Sequence, residues 1–366
     1  MNSVKNINVT VIGSGQAGLA AGYYLQKYGL KPHRDFLILD ANTKPGGAWQ
    51  HRWPALRVDK AHNIENLPGL ARDLTSSQQG APASKVMQKY FAEYENKFGF
   101  GVIRPFKVRR VTNYDPSDAD AGLLIEGEHP GGILQLRTSI VINATGTWNA
   151  PFIPYYPGHF SGHQLHVRNY RHATDYIGQR VLVVGGGTSA VQLLIQLADA
   201  GAHTLWSTRR PVDFTTRNFD YEWGVEVETA VRKTTRQGLP TQSVVSQTGL
   251  PLTDEYARAR AAGILVSQGK IHRFEGKTVV LDAGEYEIDT IMWATGFRGD
   301  LKHLAPLRLR TQAGGIITDG VNIPAEKRIL LAGYGYGASM SGAKRSGKRA
   351  AALAVSRLPR LLSGNS

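Results

Sequence analysis

Two glycine-rich segments, far apart in the chain, have the residue types and spacing that bind dinucleotide phosphates. The first, residues 13–18 (GSGQAG), follows a strand-like run and opens a helix-like one. In a GxGxxG the glycines permit a tight turn, close approach of backbone N–H groups to a pyrophosphate, and close helix–strand packing. Asp40 closes the next strand about 20 residues later, where a carboxylate accepts hydrogen bonds from ribose hydroxyls. The predicted cofactor contacts are Gly13, Gly15, Gln16, Ala17, Gly18 and Asp40.

The second segment, residues 185–190 (GGGTSA), again follows a β run and opens a helix. Its next strand ends in arginines instead of a carboxylate. A guanidinium pairs with the 2′-phosphate of NADPH through charge-assisted bonds, whereas an acid would repel it. The pattern predicts NADPH over NADH, with a solvated arginine pair as the alternative. The predicted contacts are Gly185, Gly187, Thr188, Ser189, Arg209 and Arg210.

Three shorter segments accompany these motifs. Residues 45–49 (PGGAW) combine glycines, which suit a backbone close to a ligand, with a flat apolar wall. Residues 144–146 and 294–296 are both ATG after strand-like runs. Each segment alone has low specificity, but their order along the chain is specific. They add Gly47, Ala48, Trp49, Ala144, Gly146, Thr295 and Gly296 to the predicted cofactor contacts.

Between the two glycine motifs, residues 160–170 (FSGHQLHVRNY) fit the pattern FxGxxxHxxx(Y/F). With the other segments, spanning residues 13–297, this resembles the flavin-containing monooxygenases, and the size is similar to that of the short bacterial ones. The resemblance gives His166 a structural part in a linker between two nucleotide domains.

The resemblance implies FAD in the first site and NADP(H) in the second. NADPH would reduce the flavin, which would react with dioxygen to a C4a-hydroperoxide that oxygenates small soft nucleophiles (sulfides, amines) or ketones. The protein would supply geometry and a dry cavity, since the oxygen chemistry belongs to the flavin. Asp59 falls where many members have an asparagine near the flavin, and we predict it as the catalytic residue. An ionised carboxylate there would repel developing negative charge, whereas a protonated one could donate a bond.

The elements that position these segments read as strand, glycine turn, helix, strand, twice over, which predicts an α/β fold with parallel sheets. Residues 7–13 and 36–40 read as strands, 17–29 as a helix and 102–142 as an antiparallel excursion. We predict two Rossmann-like domains, with a discontinuous FAD domain (1–150 and 295–366) and an NADP(H) domain (151–294) inserted in it.

Composition narrows the function further. The chain of 366 residues contains no cysteine, which excludes a cysteine-based disulfide reductase, thiolate metal sites and iron–sulfur ligation. Four histidines at 159–172 could suggest metal ligands, but no i,i+4 pair with a carboxylate partner falls in a predicted helix, so we predict no metal site. The formal net charge of +14 comes without a recognised nucleic-acid-binding module. We expect a cytoplasmic enzyme without nucleic-acid or membrane partners, whose co-substrates are dioxygen and a small molecule; a homodimer is compatible with this.

Two other functions fit the same motifs. One is an NADPH oxidase or flavin reductase of the same fold, which releases peroxide or passes electrons to a protein. The other is a non-enzymatic redox sensor that binds flavin and NADP(H). Two complete nucleotide sites favour hydride transfer, because a sensor does not require both.

Overall fold

The computed structural model describes residues 5–59, 61, 65–72, 80–216, 221–241 and 249–362. The helices are α1 (Gln16–Lys27), α2 (Ala83–Phe98), α3 (Thr188–Asp199), α4 (Tyr221–Arg236), α5 (Asp254–Ala261) and α6 (Met340–Leu362). The strands are β1 (Lys5–Ile12), β2 (Phe36–Leu39), β3 (Lys107–Asp115), β4 (Asp118–His129), β5 (Gly132–Asn143), β6 (Gly158–Phe160), β7 (His163–His166), β8 (Arg180–Val184), β9 (His203–Ser207), β10 (Phe214–Thr215), β11 (Leu250–Pro251), β12 (Ile271–Gly276), β13 (Thr278–Leu281), β14 (Gly284–Glu287), β15 (Thr290–Trp293) and β16 (Ile329–Leu331).

The largest sheet combines a parallel half with an antiparallel one. Its order is β2-β1-β5-β4-β3, and β16 pairs with the end of β5. β1 lies parallel to β2 and β5, whereas β3, β4 and β5 form an antiparallel meander. All four residues of β2 and the last four of β1 are buried, as expected for strands covered on both faces. The meander matches the antiparallel excursion predicted from the sequence.

A second parallel sheet has the order β7-β15-β8-β9, and each of its three pairings is parallel. Beside it, β6 and β12–β14 form a separate four-stranded sheet. The β8–turn–α3–β9 sequence repeats the β1–turn–α1–β2 sequence of the first sheet. The predicted α/β class with two Rossmann-like units is therefore confirmed, while the domain boundaries stay a prediction.

The last helix returns to pack along the first. Ala350, Ala351 and Ala354 of α6 are fully buried. At Gly347 a Cβ atom would lie only 2.3 Å from the carbonyl oxygen of Ala17, so only glycine allows this approach. The C-terminal helix thus supports α1, whose first residues belong to the first glycine motif. Among the described residues, no helix has the length and apolar character needed to cross a membrane.

This contact predicts that Gly347→Ala destabilises the protein, although alanine is the better helix former by about 1 kcal/mol. The new methyl group would press on backbone, and overpacking of this kind costs about 1–3 kcal/mol. Urea unfolding of the flavin-free protein measures the change in the free energy of unfolding. The exposed Arg349→Ala on the same helix is the control and should stay within about 0.5 kcal/mol of wild type. A Gly347→Ala protein more stable than wild type would contradict the close packing.

Candidate active site: two glycine turns and the crossing between them

The first glycine turn joins β1 to α1 and is shaped by backbone contacts. Gly13 has φ +101°, and a Cβ there would lie 2.5 Å from the carbonyl oxygen of Ala144. A Cβ on Gly18 would lie 1.8 Å from the carbonyl oxygen of Gly13, whereas one on Gly15 would meet nothing within 4 Å. α1 begins after Gly15 with no side-chain cap and no acidic residue in its first turn. Its first N–H groups and the positive end of its dipole are therefore available to a phosphate.

The second glycine turn, between β8 and α3, is built in the same way. Gly185 has φ +137°, and a Cβ there would lie 2.3 Å from the carbonyl oxygen of Ala294. Gly187 faces open space and precedes α3, whose N-terminus has no side-chain cap and no acid in its first turn. Thr188 and Ser189 form that first turn. Each ATG alanine thus lies against the first glycine of its turn, which explains why the two motifs occur as a pair.

The GG-x-W segment covers the first turn. Gly46 and Gly47 have φ +124° and +51°, and a Cβ on Gly47 would lie 2.9 Å from the Cα atom of Gly15. The segment continues as a 3₁₀ turn, Gly47–His51, that includes Ala48 and a buried Trp49. The GG-x-W segment therefore packs directly on the backbone of Gly15, and only a glycine at position 47 allows this approach.

Asp40 has more internal partners than the sequence indicates. Its Oδ2 atom accepts bonds from the N–H and hydroxyl of Ser14, both at 2.7 Å. Its Oδ1 atom accepts bonds from the backbone (2.8 Å) and side-chain (2.9 Å) nitrogens of Asn42. The Ser14 hydroxyl also accepts a bond from Arg104, which forms a buried ion pair with Glu95. Asp40 therefore orders the glycine turn, and its contact with a ribose stays a prediction.

The two ATG segments continue into a paired crossing between the two glycine turns. The N–H of Asp300 donates to the carbonyl of Gly146 (2.9 Å), and the N–H of Phe152 donates to that of Gly296 (3.0 Å). The hydroxyl of Thr295 donates to the carbonyl of Phe152. Trp148 stacks on Phe297, with their ring centroids 5.2 Å apart. The crossing therefore brings the two glycine turns into one rigidly connected unit.

The fingerprint histidine fixes this crossing. The Nδ1 atom of His166 accepts a bond from the N–H of Arg168 (3.1 Å), so the Nε2 atom carries the proton and donates to the carbonyl of Gly296 (3.0 Å). Burial lowers the pKa of His166, in keeping with a neutral ring. These contacts fit the structural part that the resemblance gives to this residue.

The remaining predicted residues lie at the surface. Arg209 and Arg210 follow β9 and are exposed, and within the described part of the chain neither forms a hydrogen bond or an ion pair. They lie at the end of the strand next to β8, where Asp40 lies relative to β1. Asp59 is exposed in the turn after the GG-x-W segment. Its predicted catalytic part stays a prediction.

Comparison with known proteins agrees with this geometry. Residues 10–254 match the family model described as pyridine nucleotide-disulphide oxidoreductase. A flavin-containing monooxygenase from Stenotrophomonas maltophilia is 30% identical and superposes with a TM-score of 0.78, covering 96% of this chain and 99% of that one. The chain belongs to this oxidoreductase family and to the flavin-containing monooxygenases.

Two curated relatives extend the comparison. An uncharacterized oxidoreductase, CzcO, from Bacillus velezensis is 27% identical over 80% of this chain and 81% of its own length. The senecionine N-oxygenase of Tyria jacobaeae is 28% identical over 52% of this chain and 44% of its own length. Membership confirms the resemblance found in the sequence and, with it, a flavin-dependent monooxygenase enzyme. The absence of cysteine separates this flavin-containing monooxygenase from the cysteine-based disulfide chemistry in the family's description.

FAD fits the first glycine turn. A Cβ on Gly15 would meet no atom within 4 Å, α1 starts without a side-chain cap, and a Cβ on Gly47 would press on the Cα atom of Gly15, so the turn offers open N–H groups that only glycines can frame. Three buried donors nearby, the Nε atom of Arg52 and the indole N–H groups of Trp53 and Trp148, have no hydrogen-bond partner among the described residues. Sequence motifs did not indicate these three residues, since none belongs to a fixed position of the patterns used.

A buried histidine links the first ATG segment to the crossing. The Nε2 atom of His303 lies 2.6 Å from the side-chain oxygen of Asn143. The amide of Asn143 donates to the hydroxyl of Thr145 (3.1 Å), which donates to the carbonyl of Asp300 (2.7 Å). His303 is 6% exposed, and burial lowers its pKa to about 4. The crossing is therefore tied to a neutral imidazole.

We predict that this histidine makes the fold sensitive to acid. Its pKa is about 6.5 in the unfolded chain, so its contribution is complete above pH 6.5 and is lost as the pH falls towards 4. At pH 4.5 the loss amounts to about 2.5 kcal/mol. Urea unfolding at pH 7.5 and at pH 4.5 gives the free energy of unfolding at each pH. The decrease between the two pH values should be smaller in His303→Gln than in wild type, by about this amount. The exposed His203→Gln is the control, and equal drops in all three proteins would contradict the prediction.

Proposed function

We propose that this flavoprotein uses NADPH and dioxygen to oxygenate small soft nucleophiles, such as sulfides and amines, or ketones. The observation that carries the proposal is the pair of alike glycine turns joined by one crossing. In doubly wound sheets a dinucleotide binds at the carboxyl ends of the strands, where both turns lie. Similarity to a flavin-containing monooxygenase over nearly the whole of both chains supports the same function. The name of the senecionine N-oxygenase supports nitrogen among the acceptor atoms.

The chain's own residues bind, orient and exclude water. The first turn and the start of α1 would hold the FAD pyrophosphate, and the second turn and the start of α3 would hold that of NADPH. FAD, when bound, supplies the electron acceptor and the site of oxygen chemistry. The stacked rings of Trp148 and Phe297 fill the crossing with apolar surface, which keeps water away. We place the protein in the cytoplasm, with dioxygen and a small molecule as its reaction partners.

Purified protein tests the proposal directly. We expect a yellow, FAD-containing protein that NADPH bleaches without oxygen. On admission of oxygen, a transient near-ultraviolet absorbance should precede the return of the oxidised spectrum. Thioethers, amines, indole or cyclic ketones should then be converted to oxygenated products. Rapid peroxide release without product would identify an NADPH oxidase, and failure of NADPH to bleach the flavin would identify a sensor.

From the exposed Arg209 and Arg210 we predict that the enzyme prefers NADPH to NADH. Arg209→Ala should lower kcat/KM for NADPH by about 10-fold to 100-fold, because a charge-assisted bond to the 2′-phosphate is lost. The value for NADH should stay within about twofold, since NADH lacks that phosphate. Arg258→Ala, on an exposed part of α5, is the control for a general loss of positive charge. A wild-type enzyme indifferent to the two cofactors would refute the assignment.

A further inference from the structure

The side chain of Arg52 is half-buried, and it has no charged partner among the described residues. It lies over the rings of Trp148 and Trp49, at 4.9 and 5.8 Å from their centroids. Its Nε atom is buried with no hydrogen-bond partner, and it forms no ion pair with any residue that the structure describes. Burial lowers the pKa of Arg52 to about 10, so the group remains positively charged at neutral pH. The fold therefore places a half-buried cation against two indole rings, and no described residue supplies an anion for it.

A buried N–H group without a hydrogen-bond partner is costly, and a ligand oxygen bonded to it would offset that cost. The indole N–H groups of Trp53 and Trp148 are further buried donors without partners among the described residues, and the guanidinium of Arg52 lies over the ring of Trp148. A guanidinium with neighbouring N–H donors suits an anion with several oxygen atoms, of which phosphate is the typical case.

Neighbouring contacts place Arg52 at the first glycine turn. The 3₁₀ turn that precedes it starts at Gly47, whose backbone lies against that of Gly15. His51, the adjacent residue, has its Nε2 atom 2.7 Å from the side-chain oxygen of Asn42, and the side-chain nitrogen of Asn42 donates to Asp40. Arg52 thus directly follows the segment that packs on the first glycine turn.

We propose that Arg52 holds a phosphate oxygen of the flavin nucleotide bound at the first glycine turn. The inference rests on the proposed function only in its use of FAD as the ligand. The backbone N–H groups at the start of α1 would hold the pyrophosphate, and the guanidinium, which lies over two indole rings, would bind one of its oxygen atoms. The rings restrict Arg52 to one orientation, so less conformational freedom is lost when the phosphate binds.

The experiment measures flavin affinity without turnover. Flavin-free wild type, Arg52→Gln, Arg52→Lys and the control Arg57→Gln are titrated with FAD and with riboflavin, which lacks phosphate. The rate of FAD release from each holoprotein is followed by flavin fluorescence. Arg57 lies in the same segment, is exposed, and donates to the carbonyl of Gly80. NADPH, oxygen and substrate are absent, so a failed monooxygenase assay leaves this result unaffected.

We expect Arg52→Gln to bind FAD about 10-fold to 100-fold more weakly, the loss typical of a charge-assisted hydrogen bond. Riboflavin affinity should not change, Arg52→Lys should fall between Gln and wild type, and Arg57→Gln should match wild type. Added salt should increase the rate of FAD release more in wild type than in Arg52→Gln.

Two results would overturn the proposal. FAD affinity unchanged in Arg52→Gln would show that the arginine serves another anion, which NADP⁺ titration of the same variant would then identify. An equal loss of FAD and riboflavin affinity would place the contact on the flavin ring. Should Arg52→Gln fail to fold, Arg52→Lys carries the same comparison, because it keeps the charge and changes the geometry.

Discussion

The active site depends on one backbone contact that occurs in both parallel sheets. The residue that follows one strand packs against the first glycine of the turn that follows the neighbouring strand. In both sheets the residue after the neighbouring strand, Ala144 or Ala294, lies against a glycine that has no room for a Cβ atom. This contact sets the path of the turn and leaves the first turn of α1 or α3 uncapped. A bound phosphate would complete hydrogen bonds that the fold itself leaves open. Phosphate binding is thus a consequence of backbone packing more than of any side chain.

The sequence predicts well those parts of the site in which the chemistry is local. Residues 13–18 and 185–190 carry their turn, helix start and close packing within six positions, and the structure places each as predicted, with strand and helix ends shifted by only one or two residues. The antiparallel meander was likewise visible in alternating β runs and turn signals. The pairing of each ATG alanine with its glycine depends on strand order, which the repeated pattern only implies.

Sequence motifs do not predict the long-range contacts of the site. The bonds from Ser14 to Asp40 and from Arg104 to Ser14 join residues 26 and 90 positions apart, and nothing in their spacing marks them. The sequence predicts Asp40 as a ribose ligand. The four hydrogen bonds that Asp40 accepts from Ser14 and Asn42 show that it also orders the glycine turn. The sequence does not mark Arg52 for a related reason. Its contacts with two indole rings form only when the GG-x-W segment packs against Trp148.

The two nucleotide sites share a backbone and differ in the side chains at the end of the second strand. Asp40 is buried and bonded on both oxygen atoms, so the first site is rigid before any ligand arrives. Arg209 and Arg210 are exposed and form no hydrogen bonds within the described ranges, so ordering them costs side-chain entropy each time a ligand binds. A rigid site suits a cofactor that stays through many turnovers, and an exposed pair of arginines suits one that must leave. This difference in side-chain order is compatible with the proposed use of the same turn by a resident flavin and by an exchanging nicotinamide.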